Sequence, residues 1–136
     1  MYLIAIEFIS SRYLLFQAVL ITGGSNSAQG YLKSAEIYLP SSNTGCSLPP
    51  LPEKRYHHSQ DGELTCGGDI SATCHKWTAG TWIQSHNLRE KRNYHVSWST
   101  AEGVFLIGGS GSIRTSELLK EDGSVEEDFP LKYSTR

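Results

Sequence analysis

One methionine, only three cysteines, no long apolar run and no excess of charge of either sign mark this chain by what it lacks. No stretch reaches the roughly 18 apolar residues that a membrane-spanning helix requires, so no membrane span is expected. Twelve basic residues face fourteen acidic ones, for a formal net charge of −2. A nucleic-acid binder driven by electrostatics needs a basic stripe and a pI above about 9. The pI here is about 6.2, so nucleic acid is not an expected partner. Also missing are a Gly-x-Ser-x-Gly nucleophile elbow, a phosphate-binding glycine loop and closely spaced metal-ligand pairs. Neither an enzyme nor a cofactor is expected.

What the chain does have is turn chemistry. Thirteen glycines and eighteen serines lie among runs rich in Tyr, Ile, Phe and Val, which favour strands over helices. The apolar N-terminal stretch resembles a secretion signal only superficially. Glu7, Ser10, Ser11 and Arg12 interrupt it, and no basic leader precedes a clean apolar segment. Two strand-like runs, 2–9 and 13–21, describe it better, although residues 1–12 stay open between a leader and a strand. At 136 residues the length fits one domain or a piece of one.

Internal repetition organises the rest. Gly-Gly occurs at Gly23-Gly24, Gly67-Gly68 and Gly108-Gly109, steps of 44 and 41 residues, each after a short apolar run. A second motif keeps the same period: the runs 51–55 (LPEKR) and 88–92 (LREKR) end in Arg55 and Arg92, and 131–136 (LKYSTR) ends in Arg136. Arg55-Tyr56-His57-His58 and Arg92-Asn93-Tyr94-His95 follow from these, and His57 and His95 are read as equivalent positions. Further strands are expected at 34–39, 73–77 and 115–119, with short last strands clearest at 81–83 and 125–129. Each unit of about 40 residues therefore holds four short strands and no helix to cover a sheet. Stacking such sheets around an axis is one solution to their exposed edges. The units are placed at 13–52, 53–91 and 92–136.

The order of apolar strand, Gly-Gly, polar loop, strand with an aromatic, tryptophan, and Arg-x-x-His resembles the kelch repeat of β-propellers. The middle unit is the most similar, with Gly67-Gly68, Trp77 and Trp82; the outer units lack the later tryptophan. The resemblance implies an all-β, partial kelch-type propeller of about three four-stranded antiparallel blades. Closed propellers have 4–8 blades, so the remaining blades are expected from missing sequence or from self-association. It also implies a protein-interaction module that recognises an unidentified protein partner through its loops. The alternative is a fragment of a secreted propeller similar to galactose oxidase, which needs a copper site that no arrangement here reproduces.

On this reading the loops joining second to third strands share one face with the loops joining blades. They nominate Arg55, Tyr56, Arg92, Asn93, Tyr94, Asn26, Gln29, Asp69 and Arg114 as partner-binding residues, types in which Arg and Tyr commonly carry affinity. For the repeated arginines a second reading stands beside this one: a structural role, with each guanidinium bonded to loop carbonyls. The strands either side of Gly67-Gly68 set Cys66 and Cys74 next to each other, open to either a disulfide or two buried thiols. A bond implies an extracellular compartment; free thiols imply the cytoplasm. Cys46 is left without an internal partner. His57, His58 and His75 lie near these cysteines in sequence, but without zinc-site spacing. The acidic residues around Gly123 read as a solvated hairpin turn.

Overall fold

The computed structural model describes residues 4–7, 17–110, 114–128 and 130. Every regular element among them is a β-strand, and every pairing is antiparallel. The first sheet consists of β1 (Ile4–Glu7), β2 (Gln17–Thr22), β5 (Ala35–Leu39) and β6 (Thr44–Ser47), in that order. A two-stranded hairpin, β3 (Ser25–Asn26) and β4 (Gly30–Tyr31), is inserted between β2 and β5. The second sheet runs β7 (Ser59–Asp61), β8 (Leu64–Cys66), β9 (Thr73–Thr78), β10 (Thr81–Asn87). The third runs β11 (Val96–Thr100), β12 (Gly103–Ile107), β13 (Ser116–Leu119), β14 (Val125–Asp128). Three meanders of four strands thus follow one another along the chain.

Each glycine pair immediately follows the second strand of its sheet, after Thr22, Cys66 and Ile107. All six of these glycines have positive φ, from 59° to 140°. The expected last strand at 81–83 extends through Asn87, with a bulge at Ser85 in its pairing to β9. The motif at 131–136, Arg136 included, and part of the loop at 110–114 lie outside the described residues.

The first strands of the three sheets adjoin, since β7 contacts β1 on one side and β11 on the other. Between the second and third sheets lies an apolar core of Leu64, Cys66, Cys74, Leu88, Leu106 and Leu119. Cys66 and Cys74 are register partners across β8 and β9 with Cα atoms 4.1 Å apart, and they are joined as a disulfide. Cys46 is exposed and free. The joint between the first and second sheets is more polar. Thr22 at the end of β2 donates to Gln60 Oε1 at 2.7 Å, while Gln60 Nε2 donates to the Leu20 carbonyl at 3.0 Å. At the outer edge Trp82 pairs with Trp77 in register and donates its indole N–H to the Pro49 carbonyl at 2.8 Å.

Candidate functional site

The repeated arginine is the pivot of each sheet-to-sheet joint. Its carbonyl accepts from the second glycine of the preceding sheet: Gly24 N–H to Arg55 O at 2.8 Å, and Gly68 N–H to Arg92 O at 2.7 Å. Its guanidinium turns forward to the first glycine of its own sheet: Arg55 to Gly67 O at 2.6 Å, and Arg92 to Gly108 O at 2.9 Å. The glycine is required here. A Cβ on Gly67 would stand 2.5 Å from Arg92 O and 2.7 Å from the His95 ring, and on Gly23 it would stand 2.5 Å from Arg55 O.

Arg55 and Arg92 are 0% and 1% exposed. That corrects their nomination as partner contacts: no guanidinium surface is left for another protein, and the structural role accounts for every contact they make. Arg92 donates its Nε to Glu117, which is itself fully buried, and its other nitrogens to Thr115. In the second sheet His75 stands where Glu117 stands in the third, so the acid is lost from the strand. Glu53, two residues before Arg55, supplies the missing charge at 2.9 Å and also accepts from Ser71 and Thr73. A guanidinium only donates. The 2.7 Å contact from Arg55 to His75 Nδ1 therefore fixes that nitrogen as the acceptor. Burial lowers the His75 pKa in the same direction. Burial also lowers Arg55 to about 10, partly opposed by Glu53, and the group stays charged at neutral pH.

The histidine that ends the Arg-x-x-His motif is likewise structural. Its true pair is His58 with His95, which corrects the equivalence of His57 with His95. His58 Nε2 lies 3.0 Å from Thr22 Oγ1, and His95 Nε2 lies 2.7 Å from Ser59 Oγ. Thr22 already donates its proton to Gln60, so His58 must donate through Nε2. Burial, reinforced by the neighbouring arginine, lowers each of these histidines to about 4, so both are neutral at pH 7.

With the arginine and histidine turned inward, the two residues between them turn outward. Tyr56 and Asn93 are one equivalent pair, His57 and Tyr94 the other. His57 and Tyr94 both take φ of 55°, a left-handed conformation uncommon for side chains of this size. A backbone bond ties them, Tyr94 N–H to His57 O at 3.0 Å. The result is a row of four rings drawn from three loops. Tyr31 stacks on Tyr56 at 5.1 Å between centroids, Tyr56 meets His57 at 3.5 Å, and His57 stacks on Tyr94 at 3.7 Å. Tyr94, at the end of the row, is 48% exposed.

Asp69, from the loop after Gly68, ties the row together. It accepts from Tyr31 Oη at 2.9 Å and from Asn93 Nδ2 at 2.7 Å, and His57 Nδ1 lies 3.1 Å away. Burial pushes its carboxyl up, but bonds from Asn93, His57 and Tyr31 outweigh it and hold the group below the usual carboxylate range. Conversely, the bond to Asp69 raises the Tyr31 phenol. An ionised carboxylate with three donors already placed on it is a fixed anchor, with its rings held around it.

Of the nominated residues, Tyr56, Asp69, Asn93 and Tyr94 meet in this cluster. Asn26 and Gln29 lie apart, on the exposed tip of the β3–β4 hairpin, where Asn26 Oδ1 accepts from the Ala28 and Gln29 amides. Arg114 is exposed and no described contact joins it to the cluster. Sequence reasoning missed Tyr31 and the role of His57. An aromatic at the second or third place of each Arg-x-x-His motif was the available signal for His57; Tyr31 had none, because only the folded hairpin brings it to Tyr56. His57, His58 and His75 bond to three different partners, and among the described residues no group of three His, Cys, Asp or Glu side chains could hold a metal. No protein-family model matches the chain, and no curated protein matches it in sequence.

Proposed function

We propose that this chain is a protein-interaction module built as a segment of a kelch-type β-propeller, with the ring row Tyr31–Tyr56–His57–Tyr94 and its Asp69 anchor as the recognition face. The observation that carries the reading is the convergence of loops from all three sheets on one aromatic row, partly buried along its length and open at Tyr94. Tyrosine supplies contact area at low entropic cost and is enriched where binding energy concentrates. Its π faces suit a flat or cationic group on the partner. The three successive meanders, their adjoining first strands and the repeated arginine clasp support the propeller reading. The Cys66–Cys74 bond supports an oxidising, extracellular compartment. Mass spectrometry of the unreduced protein should recover residues 66 and 74 in one cross-linked peptide; free thiols on both would withdraw the compartment assignment.

A random peptide library displayed against the whole chain tests the function. Selected peptides should bind Tyr94→Ala at least about tenfold more weakly, equivalent to the ~1.4 kcal/mol expected of one interface residue of consequence. Unchanged affinity for both Tyr94→Ala and Asp69→Asn would show that recognition lies elsewhere. Stoichiometric copper binding with oxidase turnover would replace the reading by that of a secreted oxidase.

A further inference from the structure

The second and third sheets each hold an arginine in the same seat, and among the described residues none occupies the matching seat of the first sheet. In the second sheet the seat is made by Gly67 O, Thr73 Oγ1 and His75; in the third by Gly108 O, Thr115 and Glu117. Their counterparts by strand register are Gly23 O, Ser34 and Glu36. The local backbone is the same in all three: Gly23, Gly67 and Gly108 donate their N–H to the carbonyls of Ser34, Thr73 and Thr115 at 2.8, 3.0 and 3.1 Å. Yet Gly23, Ser34 and Glu36 line an open cavity of about 450 Å³. Among the described residues Gly23 O accepts only a 3.5 Å bond from Ser34 Oγ, where the sister carbonyls hold a guanidinium. Glu36 is exposed, and among the described residues no side chain bonds to it.

We infer that this cavity is a guanidinium-binding site, which takes an arginine side chain delivered on an extended segment. Glu36 supplies the counter-charge as Glu117 does for Arg92, Gly23 O receives one terminal nitrogen as Gly67 O and Gly108 O do, and Ser34 stands in for the threonines. Arginine fits better than lysine, because these acceptors are arrayed around a planar fork and a lysine ammonium is a point donor. The third copy of the arginine motif, 131–136, ends in Arg136, which lies outside the described residues; a second copy of this chain is one source of the arginine and a different protein the other. The cavity is also lined by Tyr56 and His57 of the ring row, but no described bond joins Glu36 or Ser34 to those rings, so Glu36→Gln tests the seat apart from the ring face.

The probe is a synthetic peptide of residues 131–136, titrated into full-length Arg136→Ala protein so that no arginine of the chain's own motif competes. Saturable binding should weaken at least about tenfold, or ~1.4 kcal/mol, when the peptide's arginine is replaced by alanine, and equally when the protein also carries Glu36→Gln. Glu36 is exposed, and an unchanged melting temperature for Glu36→Gln shows that any loss belongs to the site. Equal affinity for the arginine and alanine peptides, indifference to Glu36→Gln, or no saturation overturns the inference. Sedimentation of the unmodified chain then identifies the source. Association abolished by either Arg136→Ala or Glu36→Gln assigns the arginine to a second copy; a monomer that binds the peptide assigns it to another protein.

Discussion

At the scale of single residues, Arg55 and Arg92 show how one motif meets two environments. Arg92 has its matching acid on the strand it faces, and both partners are almost fully buried. Removing one member of such a pair leaves the other as an uncompensated buried charge, which costs about 3–5 kcal/mol. Arg55 faces His75 and draws on Glu53, which is one-third exposed and can rehydrate when its partner is lost. Arg55→Ala should therefore cost about 1–3 kcal/mol, the desolvation of the carbonyl and hydroxyl groups left unpaired. Denaturant unfolding of the two alanine variants checks the order; equal losses would mean that Glu117 is not the deciding partner. The buried histidines make a second prediction. His58 and His95 titrate near 4 in the folded chain and near 6.5 when unfolded. Between these values the unfolded chain takes up protons that the folded chain refuses. The contribution is complete above pH 6.5 and is lost as pH falls toward 4, by up to ~1.4 kcal/mol per pH unit for each histidine. Thermal melts from pH 7 to 4.5 should fall steeply, and the slope should flatten in His58→Gln and His95→Gln. A flat profile in the parent would show that these rings accept protons without cost.

At the scale of the element, the glycine pair decides how one sheet hands over to the next. Gly62 and Gly67 have nearly the same φ, 56° and 67°, in the same sheet. A Cβ at Gly62 meets nothing within 4 Å, whereas at Gly67 it meets the Arg92 carbonyl and the His95 ring. Gly62→Ala should then cost only the left-handed strain of about 1–2 kcal/mol. Gly67→Ala should cost more, because backbone of the next joint must also move. Urea titration of the two variants separates the effects, and equal midpoints would mean that the joint yields freely. The hairpins at the far ends of the sheets follow ordinary turn rules. Ala79-Gly80, both at positive φ, form a two-residue link between β9 and β10 of the kind that matches strand twist.

At the scale of the whole molecule, the face between the second and third sheets is filled, while on the other face of the third sheet β11 is exposed. Leu106, Val104, Leu119 and Val125 turn toward the second sheet. Their alternates Val96 and Trp98 on β11 are 60% and 65% exposed, and Trp98 is the register partner of Phe105. An uncovered row of this kind drives association. Trp98→Ser should lower any concentration-dependent self-association, read by light scattering, and leave the melting temperature of the dilute chain nearly unchanged. A fall of several degrees in the dilute chain would show that Trp98 is covered within one molecule.

Much of this was legible along the chain. The glycine pairs, the arginine motif and the strand runs recur with a period, and a requirement that recurs in every sheet leaves a mark at every repeat. The cysteine pair was legible for a local reason, since Cys66 and Cys74 flank one short turn. The errors also have a physical origin. For Arg55 and Arg92 the structural reading holds and the partner-contact nomination fails, because the loop carries each guanidinium into a joint whose acceptors lie 12 to 25 residues away. His57 was matched to His95 because consecutive histidines hide which of them faces inward. Local sequence determined the strands and the turns, since these depend on backbone freedom and on neighbours a few residues apart. Only tertiary structure decided that Tyr31, Tyr56, His57, Asp69, Asn93 and Tyr94 share one site and that Glu36 faces an open seat, because both depend on which loops and strand ends meet when separate sheets pack together.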